Sequence, residues 1–442
     1  MAKDTPTELR NLVIYEVYVR NHSADGTFDA VTRDLPRIRQ MGVDVVWLMP
    51  IHPIGKLNKK GSLGCPYSIQ DYRQVNPEYG SMEDFERLCQ AAHALGLKVM
   101  IDVVYNHTSH DSVLVQEHHD WYHTDARGLP VTTVPEWSDV IDLAYEHNPD
   151  LWAYQIESLK LWVKLGVDGF RCDVASIVPL DFWLQARAEV AKVKPGVIWL
   201  AESVHASFIL HRREHGLTAF SDGDVHQVFD LSYDYDIWEA WKKAVHDPSF
   251  LPLYIDLLRL QKAIYPAHTI KMRCVENHDQ PRIMQDAPSR SQALAWTAFQ
   301  AFNEGAFLIY AGQEAENTHT PSLFDIDKVD WGTYSLQPFL TRLCQIKKNP
   351  AVANGSFHFL TATPAVTAVW QSEEGGVYGV FNLSSTGGTI PAPLADGEYT
   401  DLISGEIVSI SHGKIPIPDV AVILSFNGEI DRDKHTQPPV IL

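Results

Sequence analysis

Ten residues, Val167 to Ser176 (VDGFRCDVAS), carry an arginine and an aspartate two positions apart at the end of an apolar run. Alternate side chains of a strand share a face, so Arg171 and Asp173 point together while Phe170 and Cys172 point the other way. Charged residues are rarely buried unless paired, and an arginine beside a carboxylate favours its ionised form. An aspartate held in that way suits a nucleophile better than a proton donor. The same pair also makes an ordinary structural ion bridge, so the decision rests on what else shares its site.

The elements that must position those partners are legible in the hydrophobic pattern. Short β-branched runs at Leu12–Arg20, Val43–Ile51, Leu97–Asn106, Val167–Val174, Val197–Ser203, Gln227–Tyr233, Thr269–Asn277 and Ala306–Gly312 are predicted strands. Amphipathic runs separate them. The run Phe28–Met41 places Val31, Leu35 and Ile38 on one face, and Met82–Leu95 follows Ser81 as N-cap with Glu83 and Asp84 in its first turn. Eight strand–helix pairs predict an α/β fold, a (β/α)₈ TIM barrel, rather than a doubly wound sheet. No GxGxxG follows the first strand and no GxxxxGK[ST] occurs, so the nucleotide folds lose support.

Two segments break the alternation. Residues 107–147, rich in His, Asp, Trp and Pro but poor in periodicity, are predicted to form a short domain inserted after strand three. From 352 to 442, runs such as VTAVW, GVYGVFNL and DVAVILSF between Gly-, Ser- and Pro-rich turns predict a C-terminal antiparallel β domain, a sandwich ending in a short tail. The barrel then takes residues 1–106 and 148–351.

Composition narrows the partners. A formal charge of −20 argues against nucleic acid and anionic membrane and leaves a neutral substrate as the easiest fit. The five cysteines are widely spaced with no CxxC pair, the pattern of free thiols in a reducing compartment. The first twenty residues lack an apolar core with a cleavage site, and no stretch approaches the roughly 20 apolar residues of a membrane span. A cytoplasmic location is the expectation.

Residues at the C-terminal ends of barrel strands share one mouth. Those ends supply Asp102, Asn106 and His107 from DVVYNH, Arg171 and Asp173 from strand four, Glu202 from WLAES, and Glu276, His278 and Asp279 from ENHDQPR. Several carboxylates, two histidines and an arginine thus converge from segments far apart in the chain.

DVVYNH, GFRCDVAS, WLAES and CVENHDQPR, in that order, resemble the four signature regions of the α-amylase family, glycoside hydrolase family 13. VWLMPIHPIG, PYSIQDYRQVNPEYG and AFLIYAGQE extend the likeness over nearly the whole chain. The resemblance implies a retaining glycosidase that cleaves α-1,4-glucosidic bonds of maltooligosaccharides or starch with two carboxyl groups. By motif match Asp173 is its nucleophile, Glu202 its acid/base and Asp279 its third carboxylate, which binds sugar hydroxyls. His107, His278 and Arg171 match residues around the cleaved sugar, Tyr67 matches the aromatic platform beneath it, and Asp102 matches a brace for Arg171. Glu202 follows the apolar run VIWLA, and desolvation there would raise its pKa toward that of a proton donor.

The chemistry itself requires no cofactor, but the resemblance implies a structural calcium ligated by Asn106, with Asp139 or Asp142 as further oxygen donors. The Lys-His pair that typical members carry after the nucleophile is here Ser176 and Ile177, which puts that site in question. Val174, directly after Asp173, is also found in neopullulanases, cyclomaltodextrinases and oligo-1,6-glucosidases, so linkage stays open. A transglycosylase, and a non-catalytic relative of the transporter-associated type, are the competing readings; the latter lacks parts of the catalytic set that this chain keeps. Trp121 and Trp137 are candidates to line a sugar cleft. His118, His119 and His123 lack the fixed spacing of a metal cluster.

Overall fold

The computed structural model describes residues 5–440; the first four residues of the segment read for a leader and the last two of the predicted tail lie outside them. In chain order the strands of the first part are β1 (Val13–Val17), β2 (Val45–Leu48), β3 (Lys98–Val103), β4 (His107–Ser109), β5 (Val140–Asp142), β6 (Gly169–Cys172), β7 (Ile198–Ala201), β8 (Leu231–Tyr233), β9 (Ile270–Arg273) and β10 (Ala306–Tyr310). Eight of them close a barrel in the order β1-β10-β9-β8-β7-β6-β3-β2. Apart from Lys98, every residue of these eight strands is buried, which is why they read as continuous apolar runs rather than alternating ones.

The described residues separate into two compact units, one of residues 5, 14–233 and 320–330, the other of residues 6–13, 234–319 and 331–440. In the first unit, helix Met82–Ala94 begins with a capping box in which Ser81 and Asp84 satisfy each other's backbone N–H. Helix Pro149–Lys164 starts from Asn148, whose side chain accepts from Leu151 N–H, with Pro149 in the first turn. The short strands β4 and β5 pair antiparallel inside the segment predicted as an insertion, His107 opposite Asp142.

The strands are shorter than their apolar runs. Residues after Val17 turn into a helical stretch, Val19–His22. Residues 227–230 do not extend β8, because Val228 and Phe229 donate back to Val225 O and close the helical turn Asp222–Val225. Asp173 and Glu202 each lie one residue past the end of their strands, whereas Asp102 and Arg171 lie within β3 and β6.

In the second unit, β11 (Ser356–Thr361), β12 (Val366–Gln371), β13 (Gly375–Phe381), β14 (Thr389–Pro391), β15 (Gly397–Thr400), β16 (Ile407–Ile410), β17 (Lys414–Pro416) and β18 (Ala421–Asn427) follow the last helices. β11, β12, β13 and β18 form one antiparallel sheet, and β14 with β17 and β15 with β16 form two two-stranded antiparallel sheets. Val369, Tyr378, Val380, Ile390, Ile415 and Leu424 fill the core between them. The segment predicted as a loose tail is tied down: Gln437 N–H donates to Leu360 O at 2.6 Å and its Oε1 accepts from Ala362 N–H at 2.8 Å.

Candidate active site

Strand register assembles the first unit's site. β3 and β6 place Asp102 opposite Arg171, and β6 and β7 place Cys172 opposite Ala201. The next residues keep the pattern after the strands end: Asp173 N–H donates to Val103 O at 2.9 Å, and Glu202 N–H donates to Cys172 O at 3.0 Å. Neighbouring strand ends therefore deliver Asp173 and Glu202 side by side. Both are buried.

Arg171 is the hub. Its guanidinium is fully buried, and Nη1 donates to Asp173 Oδ1 at 2.8 Å and Asp102 Oδ1 at 3.0 Å. Nη2 lies 3.1 Å from Glu202 Oε2 but without hydrogen-bond alignment, and Nε donates to the Tyr233 hydroxyl at 3.1 Å. The rings of Trp47, Tyr67 and Tyr233 surround its Cζ at 5.3, 5.6 and 5.3 Å. Three carboxylates and three aromatic rings around one cation keep a buried charge tolerable, and the guanidinium is held firmly protonated by those neighbours against the desolvation of burial.

Tyr67 donates its hydroxyl to Asp102 Oδ2 at 3.0 Å, so Asp102 joins Tyr67 to Arg171. His107 is buried beside Asn106, whose Nδ2 lies 3.2 Å from His107 Nδ1, and its ring leans on Trp137 at 5.4 Å. Burial lowers its pKa against the opposing pull of Asp142 and Asp139, which favours the neutral imidazole.

Glu202 follows an apolar run and is buried, and polar partners meet its carboxylate as well: Oε2 accepts from Val174 N–H at 2.7 Å and faces Arg171. The apolar residues belong to β7 within the barrel, whereas the carboxylate projects past the strand end. Val174 itself adopts a left-handed backbone, φ 37° and ψ 43°, uncommon for a β-branched residue. That conformation aims its N–H at Glu202.

In the second unit, His278 is buried with Nε2 3.1 Å from Asp279 Oδ2, and the Asp279 side chain is 38% exposed. Asp279 N–H donates to Asn277 Oδ1 at 2.9 Å, while Asn277 Nδ2 donates to the Tyr235 hydroxyl at 2.9 Å. Glu276, grouped with these residues by sequence, is taken elsewhere: it accepts from Arg282 Nη1 at 2.7 Å and from Ile283 N–H at 2.8 Å, all buried.

Other candidates separate likewise. Trp121 is buried and stacks on His118 at 3.7 Å, so it packs the segment rather than lining a cleft, whereas Trp137 is half-buried between His107 and Phe208. Among the described residues no group of three or more His, Cys, Asp or Glu is arranged to hold a metal ion. Most of the oxygens expected around a calcium are engaged by the chain itself, although Asp139 Oδ2 is buried without a hydrogen-bond partner. Asp139 Oδ1 pairs with Lys60 Nζ at 2.9 Å; Asp142 Oδ2 accepts from Thr133 N–H and Oγ1–H at 2.7 and 2.6 Å, and Asn106 turns its amide nitrogen toward Asp142 Oδ1 at 3.4 Å. A cation needing six to eight oxygens finds one unpartnered carboxylate oxygen here, with the Asp142 carboxylate and the Asn106 amide already turned to other partners, and that set does not fit it.

Sequence reasoning missed Tyr233, Trp47 and the Val174 backbone. Tyr233 ends a strand predicted from the sequence, so the strand-end rule that found Glu202 reaches it as well. Nothing in the residue type of Val174 signals a positive φ.

A parallel barrel bearing two buried carboxylates on adjacent strand ends, clamped by one arginine, defines a barrel enzyme built for paired-carboxylate chemistry. The model for the alpha amylase catalytic domain matches residues 17–136 and 133–374, and that for the bacterial alpha amylase C-terminal domain matches residues 359–424. An alpha-amylase structure from Lactobacillus plantarum is similar at 41% identity and TM-score 0.92, covering 95% of this chain and 100% of that one. A noncanonic maltogenic alpha-amylase structure from Thermotoga neapolitana is similar at 33% identity and TM-score 0.84, covering 96% and 100%. The chain belongs to the alpha-amylase family and is an enzyme of that type. Among curated relatives, an alpha-amylase of Haloarcula japonica is 26% identical over 91% of this chain and 60% of its own length. An alpha-1,4-glucan:maltose-1-phosphate maltosyltransferase of Cereibacter sphaeroides is 34% identical over 53% of this chain and 41% of its own length. The chain thus spans about two-fifths to three-fifths of the length of these curated relatives. No helix of the described residues is long and apolar enough to cross a membrane.

Proposed function

We propose that the protein hydrolyses α-1,4-glucosidic bonds of maltooligosaccharides or starch with retention of anomeric configuration. Asp173 attacks the anomeric carbon while Glu202 passes its proton to the departing glycosidic oxygen, which leaves a glycosyl–Asp173 ester and a shortened glucan. Glu202 then takes a proton from water, the resulting hydroxyl displaces Asp173 from the anomeric carbon, and one water is consumed per bond. Asp279 and His278 bind sugar hydroxyls, His107 does so as a neutral imidazole, and Tyr67 supplies the face beneath the sugar.

The single observation that carries this reading is the shared guanidinium: Arg171 contacts Asp173 at 2.8 Å and Glu202 at 3.1 Å. Two carboxylates on one cation favour the close spacing of retaining enzymes, about 5–5.5 Å, over the roughly 6.5–9.5 Å of inverting ones. The alpha-amylase relatives support the glucan assignment.

Proton NMR of maltoheptaose digestion tests the stereochemistry, because the α anomer must appear first. Initial release of the β anomer overturns it. Chromatography of products from α-1,4, α-1,6 and sucrose-type substrates tests linkage, and accumulation of chains longer than the substrate would mark a transferase instead.

A further inference from the structure

Arg212, on helix Ala206–Glu214, is a buried cation with no carboxylate directly against it. It lines a cavity of about 150 Å³ together with Asn106, His123, Thr133, Asp142 and Glu146, among others. Its Nε donates to Thr218 O at 3.1 Å and its Nη1 to Thr133 Oγ1 at 3.1 Å. Thr133 in turn donates the same hydroxyl to Asp142 Oδ2 at 2.6 Å and its N–H at 2.7 Å. The hydroxyl is therefore a relay, accepting from the guanidinium and donating to the carboxylate. Asp142 lies on β5, opposite His107 of β4, and its Oδ1 receives the Asn106 amide that also reaches His107 Nδ1 at 3.2 Å.

We propose that Arg212 is the built-in cation of the 107–147 segment, holding the Asp142 carboxylate through Thr133 where the family resemblance implied a calcium ion. Three observations converge on it. Both oxygens of Asp142 are engaged, by Thr133 and by the Asn106 amide, and Lys60 takes Asp139 Oδ1, which leaves Asp139 Oδ2 as the one buried oxygen of these two carboxylates without a partner. A permanent positive charge is buried in the same cavity as Asn106 and Asp142. Burial pulls the guanidinium's pKa down and Asp142 opposes that pull, so the two charges sense each other across the relay. The arginine also lies 5.9 Å from the Phe208 ring, Phe208 stacks on Trp137, and Trp137 leans on His107. The segment's geometry around His107 is thus carried by side chains throughout and does not wait on a metal. The inference rests on family membership and not on the catalytic roles of Asp173 and Glu202.

Thermal unfolding and amide hydrogen exchange test it without an activity assay. The wild-type Tm is expected to agree within about 1 °C between chelator and millimolar calcium, and calorimetric titration to show no site tighter than millimolar. A calcium-induced rise of several degrees, or a micromolar site, overturns the proposal and needs no variant. Arg212→Met is expected to speed exchange over residues 131–142 at least tenfold, with Arg212→Lys intermediate. A folded Arg212→Met protein with wild-type protection there would equally overturn it. Both outcomes are separable from the glucan reading, which stands or falls on products.

Discussion

Arg171 meets Glu202 differently from Asp173: Nη1 makes an aligned 2.8 Å hydrogen bond to Asp173 Oδ1, whereas Nη2 stands 3.1 Å from Glu202 Oε2 without one. Arg171 thus grips Asp173 and only faces Glu202, which accepts an aligned hydrogen bond from Val174 N–H. In the mechanism proposed above, that difference suits a nucleophile that keeps one orientation for in-line attack and an acid/base that changes protonation state twice per cycle beside a cation that stabilises its ionised form.

Leaving-group chemistry separates the two roles experimentally. Glu202→Gln is expected to slow maltooligosaccharide cleavage by about 10²–10⁴-fold. With a maltosyl fluoride or dinitrophenyl maltoside, whose departing group needs no proton, that variant should recover a rapid first turnover. Asp173→Asn should be slow on all of these substrates, by several orders of magnitude, while circular dichroism shows it folded. Recovery by the Asp173 variant, or none by the Glu202 variant, would reverse or remove the assignments.

Val174 makes an unusual prediction about glycine. Alanine normally outranks glycine by about 0.5–1 kcal/mol in regular structure. A left-handed conformation costs a residue with a Cβ about 1–2 kcal/mol, and glycine nothing. Val174→Ala and Val174→Gly both lose packing against Ile177, Val204 and Ile209, and both keep the N–H that Glu202 accepts. The glycine variant should therefore be at least as stable as the alanine variant, with kcat/KM within a few-fold of wild type. Chemical denaturation of the pair decides it, and a clear advantage for alanine would refute the strain argument.

The barrel and the core of the site were legible because both depend on repeating geometry. Apolar runs mark buried parallel strands, and polar groups just past their ends mark the mouth, so Asp102, Arg171, Asp173 and Glu202 emerged together. What the sequence concealed was which side chains pair. Glu276 looked like a companion of Asp279, since the motif ENHDQPR does not show that its own Arg282 turns back to take the carboxylate. The calcium ligands looked available because Lys60 and Arg212 lie far from Asp139 and Asp142 in the chain, and nothing in the residue type of Thr133 shows that it turns back on Asp142. Strand length was overestimated for a related reason: the apolar pattern continues where the regular pairing narrows to single hydrogen bonds, such as Asp173 N–H to Val103 O, or gives way to turns.

The Glu276–Arg282 pair gives a control in the same motif as Asp279. Both side chains are buried, and Arg282 also donates to Ala311 O at 2.8 Å. Burial raises the pKa of Glu276 against the opposing charge of Arg282. Removing one partner of a buried pair costs about 3–5 kcal/mol because the other charge is stranded. Glu276→Gln should thus lower Tm by several degrees while kcat, measured well below the transition, stays within about twofold. An Asp279→Asn variant should show the opposite, little loss of stability and a large loss of kcat. If Glu276→Gln abolished turnover in a fully folded protein, Glu276 would belong to the chemistry after all.

Lys347 sets a pH dependence of folding that is independent of the active site. It is 1% exposed, and its ammonium donates to Ala301 O at 3.1 Å and Asn303 O at 3.3 Å. Burial first, then repulsion from Lys348 and Arg273, lowers its pKa from 10.5 to about 7. The unfolded chain therefore binds a proton across a window, from about 7 to 10.5, in which the folded chain does not. Stability rises with pH wherever the unfolded state holds more protons, so this residue's penalty is full below pH 7 and shrinks as pH climbs through that window. Lys347→Met keeps the length of the side chain and removes the titration. Its stability relative to wild type should fall steadily from pH 7 toward pH 10, since only the wild type gains as the amine deprotonates. Denaturant midpoints of the two proteins at matched pH values, with all other titrations common to both, measure this difference directly. Parallel curves would mean that Lys347 stays charged in the fold.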